Sequence, residues 1–199
     1  MDHEEVIDIF RKADAILEGH FVLSSGRHSP VFLQKARVFM YPDLTEKLCK
    51  GLAQKIRNAG FSVDLVVSPA LGGLIPGFET ARHLGVPAIW VEREEGNFQL
   101  RRGFHIEPGT KIAIVEDIVT TGLSSREAVD CVKALGGDVQ CCGCLIDRSN
   151  GAADPGVPLV SLAAMDVPSY APDEVPAELA AVPQTKPGSR HLSTPGGGR

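Results

Sequence analysis

The sequence contains no apolar run long enough to cross a bilayer, and its opening Met1-Asp2-His3-Glu4-Glu5 has neither the basic stretch nor the apolar core of a signal peptide. A cytoplasmic protein, with no membrane partner, is expected. Positive charge is not in excess: 20 Lys+Arg stand against 25 Asp+Glu, for a formal net charge of −5. That balance argues against holding nucleic acid by bulk electrostatics and suits a small anionic ligand met by a local basic strip such as Arg101-Arg102. No GxxxxGK[ST] occurs, which removes the P-loop nucleotide hydrolases. The five cysteines, Cys49, Cys131, Cys141, Cys142 and Cys144, are odd in number, and Cys141-Cys142-Gly143-Cys144 lacks the paired CxxC spacing of a structural zinc site. Buried reduced thiols are expected instead. No internal repeat is present.

What the chain does have is the composition of an ordinary globular domain, 199 residues with 43% hydrophobic and 23% charged, enough for one sizeable core. Helical spacing of Val6, Ile7, Phe10, Ala13 and Leu17 predicts a helix over 4–17, closed by Gly19. Two apolar runs around Ser24-Ser25-Gly26-Arg27 predict a hairpin or two short strands ending at Phe32-Leu33-Gln34, and a second helix follows over 43–59. Strand, loop and helix then alternate: a strand at 63–67, a helix at 74–84, strands at 86–91 and 111–115, a helix at 124–135, and strands at 139–146 and 157–164. Strands apolar on both faces and separated by helices imply an α/β fold with a parallel sheet covered on both sides, and a ligand at the carboxyl ends of the strands. The tail over 183–199 is rich in Pro and Gly, poor in large apolar residues, and expected to be mobile unless a partner chain holds it.

The chemistry concentrates where the strand Ile112-Ala113-Ile114-Val115 ends in Glu116-Asp117 and passes through Ile118-Val119-Thr120-Thr121-Gly122-Leu123 into a helix beginning at Ser124-Ser125. Backbone amides of a tight glycine loop at a helix N-terminus, helped by hydroxyls, form an anion site suited to phosphate. The carboxylates would repel that phosphate but can accept hydrogen bonds from sugar hydroxyls beside it. A phosphate cradle next to a diol clamp suits a ribose 5-phosphate. The plain alternative is a capped helix beside a solvated strand end.

This segment resembles the PRPP-binding motif of type I phosphoribosyltransferases. The flanks are similar to the orotate enzymes of that family: Gly19-His20-Phe21 to Phe32-Leu33-Gln34, Glu92-Arg93 with Leu100-Arg101-Arg102-Gly103-Phe104, and Ile146-Asp147-Arg148. The likeness spans roughly 5–170. It implies a single domain over 1–182 with a mostly parallel central sheet flanked by helices and a small N-terminal hood at about 1–40. It further implies transfer of the ribose 5-phosphate of PRPP to orotate in pyrimidine nucleotide synthesis, with Mg2+ held mainly through PRPP and water and no direct protein ligand. Glu116 and Asp117 would hold the ribose hydroxyls, residues 118–124 (Ile118, Val119, Thr120, Thr121, Gly122, Leu123, Ser124) would wrap the 5-phosphate, and Thr120, Arg148 and Phe32 would meet orotate. Ala70-Leu71-Gly72-Gly73 stands at the family's pyrophosphate loop. A flexible loop over 93–104 would close on the site and reach a neighbouring subunit of a homodimer, with Arg93, Arg102 and Asp117 in catalytic roles.

The chain departs from the family in having few lysines. Ser24 stands where many orotate enzymes carry lysine before the Ser-Gly-Arg turn, Leu71 or Gly72 replaces the lysine of the pyrophosphate loop, and 93–104 contains none. Two alternatives stay open at this level. One is transfer to another nucleobase through the same PRPP site; the other is a PRPP-sensing regulator without turnover.

Overall fold

A computed structural model describes residues 1–23 and 25–187. The first helix, α1, covers His3–Lys12 and is opened by a reciprocal cap: the Asp2 side chain accepts from the Glu5 amide, and the Glu5 side chain accepts from the Asp2 amide. It ends earlier than the expected residue 17. Asp14 takes a left-handed φ of 49°, the chain reverses, and Ile16 and Leu17 open strand β1 (Ile16–Val22) instead. Apolar spacing could not separate the two because Ile16 and Leu17, adjacent and both half-buried, fit a helical stripe as readily as a strand. Strand β2 (His28–Leu33) pairs antiparallel with β1, as the hairpin reading required. A one-turn helix α2 (Ala36–Phe39) precedes α3 (Pro42–Asn58).

The remaining elements are β3 (Leu65–Pro69), α4 (Leu74–Leu84), β4 (Ala88–Glu94), β5 (Asn97–Leu100), β6 (Lys111–Val119), α5 (Leu123–Ala134), β7 (Asp138–Asp147) and β8 (Leu159–Ala164). They form a six-stranded sheet ordered β5-β4-β3-β6-β7-β8, in which all neighbours run parallel except β4 and β5. Alternation along the strands fills both faces. Val66, Ala113 and Val115 join the core under α1, α3 and α4, whereas Leu65, Val67, Ile112 and Ile114 join the core under α5. Cys49, Cys141, Cys142 and Cys144 are buried free thiols, pushed up in pKa chiefly by that burial.

Two boundaries differ from expectation in ways that matter. The segment 93–104, expected as a loop, begins as the end of β4, turns at Glu95-Gly96, and returns as β5, with Glu94 opposite Asn97. Both turn residues have positive φ, 51° and 88°, the two-residue hairpin geometry that matches strand twist. At the other end, α6 (Ala177–Ala180) and β9 (Gln184–Thr185) bring the chain back to β1, so Gln184 and Thr185 pair with His20 and Phe21 although they lie in the stretch expected to be mobile. Strands β2, β1 and β9 form a separate three-stranded sheet. Residues 188–199 of the expected tail lie outside the described residues. No described helix is long and apolar enough to cross a membrane.

Candidate active site

From β3 the chain moves to β4 on one side, and from β6 to β7 on the other, so the sheet order reverses between β3 and β6. A parallel sheet opens a crevice beyond the carboxyl ends of its strands at such a point. The loop after β3 and the end of β6 form its walls. Ala70–Leu71 is a cis peptide, and Gly72 and Gly73 press the loop against β6. A Cβ on Gly72 would lie 2.3 Å from Asp117 Oδ2, and one on Gly73 2.7 Å from the Val115 carbonyl oxygen. No larger side chain fits between the loop and the strand.

Glu116 and Asp117 stand inside β6, which continues to Val119 rather than stopping at Val115. Burial, and then the neighbouring Asp117 charge, push Glu116 up to about 8, against the pull of Lys35 and the Ser124 hydroxyl. Asp117 is buried, its side chain only 1% exposed. Its Oδ1 accepts from the Ile118 amide at 2.6 Å and from Lys35 Nζ at 2.7 Å. Its Oδ2 makes no hydrogen bond, although Nζ lies 2.6 Å away as an ion contact. Thr120 and Thr121 beyond the strand are exposed. Gly122, with φ 81°, leads into α5 without a side-chain cap. A Cβ on Gly122 would meet the Asp154 amide at 3.0 Å, and Thr121 Oγ1 accepts from the Leu123 amide at 3.3 Å. Uncapped amides and the helix dipole leave positive potential at this end.

These parts surround one cavity of about 230 Å³, lined by Lys35, Pro69, Ala70, Gly72, Arg93, Phe98, Glu116, Asp117, Ile118 and Ser124. A neighbouring cavity of about 480 Å³ shares Ala70 and Arg93 and adds Leu71, Leu74, Trp90, Glu92 and Arg102. Each arginine of the hairpin segment is paired within the chain. Arg93 donates to the Gly96 carbonyl at 2.7 Å and to Glu127, and its guanidinium lies 4.1 Å from the centre of the Phe98 ring. Arg102 forks onto Glu92 at 2.7 and 3.0 Å and, with the Trp90 indole N–H, draws that carboxyl down to about 2. Arg101 lies 3.0 Å from Glu94.

Many of the residues singled out in the sequence do not line the smaller cavity, among them Arg102, the turn from Val119 to Leu123, Leu71, Gly73, Phe32 and Arg148. Gly73 faces β6 through its backbone, and the Phe32 ring packs tilted against Phe21 of β1, with ring centres 5.7 Å apart. Arg148, just past β7, is tied to β6 through its amide, which donates to Val119 O at 2.8 Å. Its Nε is buried without a hydrogen-bond partner, and burial lowers its pKa. Conversely, Lys35 enters the site without having been singled out. It directly follows Phe32-Leu33-Gln34, but nothing in local spacing ties it to a carboxylate 82 residues onward.

A family model described as phosphoribosyl transferase domain matches residues 41–163, the stretch that carries the sheet and the crevice. Curated relatives match nearly the whole chain. The orotate phosphoribosyltransferase of Caulobacter vibrioides is 62% identical over 96% of this chain and 99% of its own length. That of Brucella canis is 61% identical over 96% and 100%. The chain belongs to the orotate phosphoribosyltransferase family. Among solved structures, the orotate phosphoribosyltransferase of Aeropyrum pernix aligns at 27% identity with a TM-score of 0.71, covering 80% of this chain and 93% of that one. Family membership and the observed sheet agree on the type I phosphoribosyltransferase architecture.

Proposed function

We propose that this chain is a cytoplasmic orotate phosphoribosyltransferase that joins PRPP and orotate to give orotidine 5'-monophosphate and pyrophosphate in pyrimidine nucleotide synthesis. The observation that carries the reading is the juxtaposition, at one switch point, of the buried pair Glu116-Asp117, an uncapped helix N-terminus and a glycine loop packed on the same strand. Nearly full-length likeness to orotate enzymes supports the choice of base.

In this reading Asp117 and Glu116 hold the ribose hydroxyls, the Asp117 oxygens passing to them from the Lys35 ammonium that contacts both. The turn 118–124 takes the 5-phosphate, with Gly122 supplying the left-handed backbone. Arg148, whose buried Nε lacks a partner, offers its fork to the orotate carboxylate, alongside Thr120 and Phe32. Ala70–Gly73 faces pyrophosphate. Orotate N1 gives its proton to solvent and bonds to C1 while the C1–O bond to pyrophosphate breaks and its electron pair leaves with the oxygen. The ribose passes through cationic character, so fixed charge on both sides of C1 supplies the stabilisation. Arg93 and Arg102 stand at the edge where the leaving group would emerge.

The residues fit Mg2+ held mainly through PRPP and water. Two carboxyl groups, Glu116 and Asp117, line the cavity, and among the described residues no third one joins them there to complete a protein cage. Bound there, the ion would neutralise pyrophosphate charge. The cluster Glu46, Glu79 and His83 lies away from this cavity, bridged by Arg82.

The same reading includes a homodimer with the segment 93–104 at the shared border. Exposed Ile75 and Phe78 line a cavity of about 410 Å³ together with Phe39, Leu74, Ile89 and Trp90. Trp90 and Leu74 also wall the cavity of Arg93 and Arg102, so a second copy on this face would adjoin the site.

Loss of orotate absorbance with PRPP, with and without magnesium and beside adenine, guanine, hypoxanthine and uracil, tests the reading. Magnesium-dependent consumption of orotate alone is expected. Turnover of another base would overturn the base assignment, and PRPP binding without turnover would make the protein a regulator.

A further inference from the structure

The pyrophosphate side of this site is poor in lysine. None occurs in Ala70–Gly73 or in 93–104, and the three arginines of the hairpin segment are each bound to a glutamate. One ammonium nevertheless lies in the crevice. Lys35 sits at the start of α2, in a chain held by the Gln34 amide donating to the Ala15 carbonyl at 2.7 Å. Its Nζ contacts both oxygens of Asp117 and lies 3.3 Å from where a Cβ of Gly72 would stand. The ammonium therefore occupies the gap between the carboxylate and the glycine loop.

Its surroundings differ from those of an ordinary structural ion pair. Asp117 is sealed at 1% exposure while the Lys35 side chain is 40% exposed, and Lys35 walls both the inner cavity and an outer one of about 420 Å³ with Leu71, Gly72 and Ile75. A long side chain at the junction of two cavities can swing without unpacking the core. Its present partner is also the group that, in the reading given above, must turn to the ribose hydroxyls when substrate enters.

We propose that Lys35 is a further catalytic residue for pyrophosphate. It rests on Asp117 in the empty site and, as PRPP engages Asp117, presents its ammonium to the pyrophosphate over Gly72, supplying charge that the loops do not. This rests on the phosphoribosyl-transfer reading but not on the identity of the base. An ammonium binds phosphate oxygens as a point charge with three donors, so it can follow the leaving group as charge builds there.

The test is calorimetric titration of wild-type protein, Lys35→Met and Lys35→Arg with inorganic pyrophosphate in magnesium buffer, beside steady-state rates with PRPP and orotate and thermal melts. Loss of one charge-assisted contact predicts pyrophosphate binding weakened roughly 10- to 100-fold in Lys35→Met, with partial recovery in Lys35→Arg. The KM for orotate should move less than about threefold, since the contact is to the other substrate. Pyrophosphate affinity within about twofold of wild type in Lys35→Met would overturn the proposal, as would an equal loss of orotate and pyrophosphate. Should Lys35→Met fail to fold because Asp117 is left unpaired, Lys35→Arg against Lys35→Gln carries the same comparison. If wild type binds pyrophosphate through Lys35 but does not consume orotate, the base assignment fails and the role of Lys35 stands.

Discussion

Replacing Glu116 by Gln removes a titration that the fold makes unusual. Its carboxyl is held up at about 8, against a value of 4.5 when unfolded, by burial and by the adjacent Asp117 charge. Between those two values the folded state binds the proton more tightly, so its contribution to stability is complete below the lower one and is lost as pH rises through the higher. From these limits the wild-type protein gives up about 1 kcal/mol by about pH 5.5 and roughly 4 to 5 kcal/mol by about pH 8.5. Glutamine keeps the size and the neutral charge but cannot ionise. Urea unfolding followed at several pH values should therefore show wild type losing about 3 kcal/mol more than Glu116→Gln between about pH 5.5 and about pH 8.5, with the curves converging at the acid end. Parallel profiles for the two proteins would refute the claim that Glu116 is an acid at neutral pH in the empty site.

Gly72→Ala places a methyl 2.3 Å from Asp117 Oδ2, so the loop must move. We expect a loss of about 1–3 kcal/mol in urea unfolding together with a clear drop in turnover; wild-type activity would show that the loop need not touch β6. Arg148→Ala should raise the KM for orotate about 10- to 100-fold with little change for PRPP, and steady-state kinetics showing equal losses would remove Arg148 from the base site. Because Arg148 Nε has no partner to lose, its melting temperature should hold close to wild type. Phe78→Asp puts a charge on the exposed apolar face, and for the proposed homodimer sedimentation should show a shift from dimer to monomer; a wild-type monomer would remove the homodimer, and an unchanged dimer would move the interface elsewhere.

Much of the architecture followed from period and punctuation. Long apolar helices bounded by Pro or Gly, such as 42–58 and 74–84, and strands apolar on both faces define their own limits, and their alternation leaves a parallel sheet as the way to bury them. The likeness of Glu116 to Ser125 to a PRPP-binding motif was likewise visible, because that motif is contiguous and its parts need only one strand, one turn and one helix. What failed was whatever depended on distant chain. Ile16 and Leu17 fit a helix until their pairing with Phe32 and Leu33 made them a strand. Residues 93–104 carried a loop's composition, but β4 offered Asn97–Leu100 an edge to pair with. Gln184 and Thr185 gained order only from β1. Lys35 is the sharpest case: its contact with Asp117 arises because the chain between β2 and α2 meets the end of β6, a strand built much later in the chain, a proximity no local pattern encodes. The sequence by itself set the sheet, the helices and the contiguous turn; tertiary structure decided which charges face one another, because ion pairs depend on through-space distance and not on spacing along the chain.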